Sequence, residues 1–163
     1  MTRARMGVIG AGWWSTTAHI PSLRTYEKAE LVGIADPNPE KLAAAASYYE
    51  VNGTYEDYHD LFSEVDGVVI SVPHKYHYEI ARDALDAGVH VLVEKPMVLT
   101  AAHARDLVER AEAKKLELMV GTTFQFTSHA RRVYDIVRSG GIGELLHVSG
   151  LFASMVESFL RSR

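Results

Sequence analysis

The stretch Val8-Ile9-Gly10-Ala11-Gly12-Trp13-Trp14-Ser15 decides how this chain is read. An apolar strand carrying Met6, Val8 and Ile9 runs into a Gly-Ala-Gly turn, and a helix-compatible segment follows. A second apolar run, Leu31, Val32 and Ile34, closes at Asp36, roughly two dozen residues beyond the glycines, the spacing of a dinucleotide-binding fingerprint. Gly10 permits the tight turn. Gly12 lets the backbone approach a pyrophosphate, and the free N–H groups of the following helix face the anion. Asp36 can accept hydrogen bonds from both hydroxyls of an adenosine ribose and would repel a ribose phosphate, so it favours NAD over NADP. The third glycine of the pattern is replaced by Ser15, small enough to stand there at modest cost. The bland alternative is a strand-to-helix turn that binds nothing. The strand, turn, helix and distant acid in this order argue against it.

Bulk properties narrow the field without choosing within it. The chain has 163 residues, a formal net charge of −4 and no basic block, so nothing points to nucleic acid or to an anionic membrane. With no cysteine, a disulfide scaffold, a thiol nucleophile and a cysteine zinc site are excluded. The apolar runs, such as Gly67-Val68-Val69-Ile70-Ser71-Val72, are far shorter than the ~20 residues a membrane helix needs. The N-terminus enters its first strand with no apolar signal core, and a cytoplasmic protein is expected.

Short apolar runs alternate with amphipathic stretches, which predicts an α/β fold with a doubly wound parallel sheet. Strands are expected at about residues 5–10, 29–35, 53–55, 66–72, 89–93 and 116–121. Helices are expected at about 15–25, from Pro39, at 57–62, 76–87, 100–115 and 128–138. Leu107, Val108 and Ala111 should face inward on one helix, and Val133, Ile136 and Val137 on another. Beyond Gly143, Leu145 to Ala153 reads as a strand apolar on both faces, and Met155 to Leu160 adds further apolar side chains. Such a strand needs neighbours that no later residue supplies. The expected division is therefore 1–143 as a dinucleotide-binding domain and 144–163 as the start of an incomplete α+β second domain. The tail predicts self-association or disorder.

A second constellation ends the fifth strand. Val91-Leu92-Val93-Glu94-Lys95-Pro96 sets a charged pair and a proline at the carboxyl edge, where ligands of doubly wound sheets bind. Proline cannot extend a central strand, so the chain must turn there, and a cis Lys95–Pro96 bond is one way to aim the lysine.

At this point the chain resembles the Gfo/Idh/MocA family of sugar and polyol dehydrogenases (glucose–fructose oxidoreductase, inositol dehydrogenase and rhizopine catabolism). The resemblance rests on Val8 to Trp14, His19-Ile20-Pro21, Asp36-Pro37-Asn38, Ser71-Val72-Pro73-His74 through His77, Glu94-Lys95-Pro96 and Gly140-Gly141-Ile142-Gly143-Glu144. It implies a Rossmann domain that binds NAD, a small sugar or polyol substrate and hydride transfer from a secondary alcohol. It implies that Lys95 is the catalytic lysine, that Glu94 lies beside the nicotinamide half, and that Trp13 packs near the nicotinamide. Ser71, Pro73 and His77 match positions bordering the cofactor crevice. Thr123 and Gln125 stand where relatives often carry asparagine and arginine. In the family a second domain supplies an acid and a histidine beside the lysine, so turnover by this chain alone is not expected. Relatives are commonly oligomeric, and a homo-oligomer is expected.

The chemistry agrees with these roles. Oxidising an alcohol removes a hydride and a proton. A free lysine, with pKa ~10.4, is a poor base, but partial burial or a nearby oxidised nicotinamide lowers it, and a charged lysine still stabilises an alkoxide. One of Trp13 and Trp14 is expected in the core and the other, by preference Trp13, at the crevice; both are candidates for the cofactor site. The spacing of His74 and His77 suggests a metal pair, but no third ligand converges and no metal is expected. Two other functions could draw on parts of this pattern. A non-catalytic NAD-binding sensor or regulatory module would use the same turn. A methyltransferase would have no use for Glu94-Lys95-Pro96.

Overall fold

The structure, a computed structural model, describes residues 2–151. The strands are β1 (Ala4–Ile9), β2 (Ala29–Ala35), β3 (Gly53–Tyr55), β4 (Gly67–Ile70), β5 (His90–Val93) and β6 (Leu118–Val120). The helices are α1 (Ile20–Thr25), α2 (Pro39–Tyr49), α3 (His77–Asp86), α4 (Ala101–Lys114) and α5 (Ser128–Arg138). A π-helical turn, Ser15–His19, leads into α1, and a 3-10 segment, Tyr58–Glu64, follows β3. The sheet order is β3-β2-β1-β4-β5-β6, and every neighbouring pair is parallel. This is the doubly wound Rossmann arrangement, whose strand order reverses between β1 and β4.

Alternation along the strands feeds two cores. Ile9, Val68, Ile70 and Val93 pack with Ile80, Ala84 and Leu85 of α3 and Leu107 and Ala111 of α4. Val8, Ile34 and Val69 pack on the other face with Ile20, Leu42 and Ala45. All four residues of β4 are buried, as expected of a central parallel strand covered on both faces. Side-chain caps start three of the helices: Asn38 accepts from Lys41 N, Thr100 from His103 N and Thr127 from Ala130 N.

Three expectations are corrected. Val108 is exposed, because the buried stripe of α4 is Leu107 and Ala111, one turn apart, and Val108 lies a further residue around the helix. On α5 no residue is buried, and Val133 is 61% exposed. The amphipathic pattern is present there, but Ile136 and Val137 are only half-buried. Residues 145–151 form no strand, since no neighbour among the described residues offers a ladder to pair with. The remainder of that expected strand, to Ala153, and the apolar run Met155 to Leu160 lie outside the described residues. The chain divides into two compact units, one ending at Thr122 and one beginning at Thr123. The whole sheet belongs to the first, and α5 to the second.

Candidate functional site

A parallel sheet delivers the residue after each strand to one edge. The register aligns Ala35, Ile9, Ile70, Val93 and Val120, so Asp36, Gly10, Ser71, Glu94 and Gly121 form a row along the carboxyl edge. Each is still held by its backbone N–H: Asp36 to Tyr55 O (3.1 Å), Gly10 to Ala35 O (2.7 Å), Ser71 to Ile9 O (2.9 Å), Glu94 to Ile70 O (2.9 Å) and Gly121 to Val93 O (2.8 Å). Two of the expected site residues, Asp36 and Ser71, and the glycine turn thus share one edge with Glu94, spanning the point where the strand order reverses.

The turn itself is tight and open in the right places. Gly10 has φ +100°, and a Cβ there would lie 2.3 Å from the Ser71 carbonyl oxygen, so no other residue fits. At Gly12 a Cβ would meet nothing within 4 Å, which leaves space for a phosphate to reach the backbone. Asp36 pins the turn: Oδ2 accepts from Ala11 N at 2.7 Å and Oδ1 from Asn38 N at 2.8 Å. A carboxylate oxygen has two lone pairs, so each keeps one for a ribose hydroxyl. The space at Gly12, the pinned acid and the helical turn behind them fit a dinucleotide. Ser15 is fully buried, and its Oγ has no hydrogen-bond partner among the described residues.

Glu94 is the second centre. It is buried, and its Oε1 accepts from Trp14 Nε1 at 2.7 Å and lies 2.9 Å from His19 Nε2. Oε2 accepts from the Lys95 N–H at 3.1 Å. Gly121 packs directly against it, where a Cβ would come 2.9 Å from Oε1. Neither tryptophan is in the core: Trp13 is 64% and Trp14 40% exposed, which corrects the expectation that one would be. Trp14 is fixed at the sheet edge by its bond to Glu94 rather than by burial, and Trp13 leans on it at 5.5 Å between centroids. Lys95 is exposed, and the Lys95–Pro96 peptide is cis, as anticipated. Its ammonium has no ion pair or hydrogen bond among the described residues, while the carboxylate next to it has three partners.

His77 behaves differently from its expected role. It is fully buried, and its ring nitrogens lie 2.9 Å from Pro96 O and 2.9 Å from Val72 O. It braces the segments that carry Ser71 and Lys95 instead of presenting a surface to a ligand, and neither nitrogen is left for a metal. Ser71 is half-buried beside Gly10, and Pro73 is exposed just beyond it. Two contributors carry little sequence signal. His19 stands in a motif with no role of its own, and Gly121 merely follows a strand. The spacing of Gly121 after Val120, in register with Glu94 after Val93, could have pointed to it.

A family model described as "Oxidoreductase family, NAD-binding Rossmann fold" matches residues 4–122. The rhizopine catabolism protein MocA of Rhizobium meliloti is 34% identical over 153 residues, which are 91% of this chain and 47% of that protein. The structure of scyllo-inositol dehydrogenase from Lactobacillus casei with bound NAD(H) and scyllo-inositol superposes with a TM-score of 0.82 at 25% identity, covering 88% of this chain and 43% of that one. KijD10, a 3-ketoreductase from Actinomadura kijaniata in complex with TDP-benzene and NADP, gives 0.80 at 30% identity, covering 88% of this chain and 46% of that one. The chain thus spans under half the length of these relatives, and the two structures hold different dinucleotides.

Proposed function

This chain belongs to the Gfo/Idh/MocA oxidoreductase family, whose NAD-binding Rossmann domain it contains, and on that premise we propose that it is the nucleotide-binding part of a sugar or polyol dehydrogenase that prefers NAD to NADP. The dinucleotide, when bound, supplies the hydride acceptor for oxidation of a secondary alcohol. Around it, the backbone N–H groups of Gly12 and Trp13 bind the pyrophosphate, since those of Gly10 and Ala11 are already bonded to Ala35 O and Asp36 Oδ2, and Asp36 takes the adenosine ribose. Trp13 and Trp14 wall the nicotinamide side together with Glu94, and Ser71 and Pro73 border the crevice. His77 steadies that border from behind. Lys95 meets the substrate hydroxyl, where it takes up the proton or, staying charged, stabilises the developing alkoxide. Residues 144–163 open a second domain in this reading. The protein works in the cytoplasm, where nicotinamide cofactors are kept, as a homo-oligomer. No helix among the described residues is long and apolar enough to cross a membrane. The sensor alternative has no observation in its favour.

The carrying observation is the Asp36 carboxylate, pinned by two backbone N–H groups at the end of β2 with one lone pair free on each oxygen. A 2′-phosphate brought there would meet a fixed like charge. Calorimetric titration of the 163-residue chain with NAD, NADP and S-adenosylmethionine tests this. NAD is expected to bind at least about tenfold more tightly than NADP, and Asp36→Ser to narrow the gap. Tighter binding of NADP overturns the preference, and binding of neither dinucleotide overturns the function.

A further inference from the structure

Trp14 and His19 are five residues apart, yet both reach one carboxylate oxygen, Glu94 Oε1. In a regular α-helix, with 3.6 residues per turn, positions five apart are rotated by about 140° and face different ways. Here the backbone widens instead. Ile20 N bonds to Ser15 O, an i→i+5 closure, and residues five apart come nearly over one another. The two rings meet edge to face at 6.4 Å between centroids and close on Glu94 from the same side.

The widening is built in. Pro21 follows directly and has no N–H to continue the ladder. At i→i+5 spacing its missing donor would have served Thr16 O. That carbonyl is instead satisfied by the hydroxyl of Tyr49, the last residue of α2. Gly121 leaves just enough room for the carboxylate on the remaining side. Three separate elements therefore converge on the placement of one acid.

We propose that His19 and Trp14 are positioning residues, which clamp the Glu94 carboxylate at the nicotinamide end of the crevice and so set the affinity for the nicotinamide half of the dinucleotide. The proposal rests on the reading of Glu94 given above. Oε1 is held by the two rings, and Oε2 spends one lone pair on the Lys95 N–H and keeps the other for a ligand hydroxyl. Without the clamp the carboxylate is free to turn away, and only the half of the ligand beside it is affected.

The test compares NAD with ADP, which lacks the nicotinamide half, on the 163-residue chain and its His19→Ala, His19→Gln and Trp14→Phe variants. His19→Ala is expected to weaken NAD about tenfold and to leave ADP within about twofold. His19→Gln keeps an N–H at similar reach and should recover most of the loss, and Trp14→Phe should resemble His19→Ala. A merely structural role would instead weaken both ligands together, which overturns the proposal. So does NAD affinity that His19→Ala leaves unchanged. A cofactor-free arm uses the two tryptophans, the only ones in the chain. In an N–H correlation spectrum, Glu94→Gln and His19→Ala should shift the same indole signal and spare the other, and failure to do so overturns the clamp. A wild-type chain that binds neither NAD nor ADP overturns the functional reading and this proposal with it. Wild-type binding with an indifferent His19→Ala overturns the proposal alone.

Discussion

Gly10 and Gly12 lack a side chain for opposite reasons, and one substitution separates them. At Gly10 a methyl group would collide with the Ser71 carbonyl on a backbone that L-residues avoid. Gly10→Ala is expected to cost about 2–4 kcal/mol of stability, read from urea midpoints. At Gly12 the methyl group enters open space. Gly12→Ala should leave the midpoint within about 0.5 kcal/mol while weakening NAD in calorimetry, because the methyl occupies the phosphate's approach. Ser15 completes the set. Its buried hydroxyl has no partner among the described residues, so Ser15→Ala is expected to raise stability by about 1 kcal/mol. The glycines and Asp36 were legible in the sequence because their roles depend on backbone geometry within a few residues. The partners of Glu94 were not, because Trp14 and His19 reach it from more than seventy residues away.

Elements were legible where period and caps agreed. The bounds of β2, β3 and α5 coincide with the sequence reading, and both ends of α4 lie within one residue of it. Sequence pattern gives a single helix at about residues 15–25, where the structure has a π-turn followed by α1. The π-turn has one visible hint, Pro21 just after it at the start of α1, which removes a donor. A second missed link joins the Tyr58–Glu64 segment to α3. Asp83 accepts from the Tyr58 hydroxyl at 2.9 Å and pairs with Arg82 at 2.8 Å. Burial pushes the Asp83 carboxyl up, but the hydrogen bonds from Arg82 and Tyr58 outweigh it and hold it below its usual value. A carboxylate with a depressed pKa adds stability that is complete above the unfolded value, near ~4, and is lost as pH falls through the folded value. Asp83→Asn should therefore lower the urea midpoint at pH 7 and shrink the difference between pH 7 and pH 3. An unchanged acid limb would deny Asp83 this role. His59 has the opposite sign. Its hydrogen bond to Asp57 raises its pKa, so its contribution is present below the ordinary value of 6.5 and fades as pH rises through the folded one.

For the whole molecule, the alternation of strands and helices was enough to give the sheet, its parallel sense and the edge where the site lies, since each follows from local pattern and right-handed crossovers. What followed Gly143 was not legible in the same way. Apolar content predicts a strand, but a strand exists only with a partner, and sequence pattern is silent on whether one is present. Leu145, Leu146, Val148 and Leu151 are all at least half exposed, as are Val133 and Tyr134 on α5. Surfaces of this kind drive association. Sedimentation velocity on the 163-residue chain is expected to show mass rising with concentration, and the double change Leu146→Glu, Val148→Glu to shift it toward monomer. A monomer at every concentration would contradict that. The row at the carboxyl edge has a further consequence. Asp36, Gly10, Ser71, Glu94 and Gly121 stay laced to the sheet through their amides, so those protons exchange with solvent only when the sheet opens. A nucleotide seated on that row raises the cost of opening it, so the protection of these five amides is expected to rise when the dinucleotide is added.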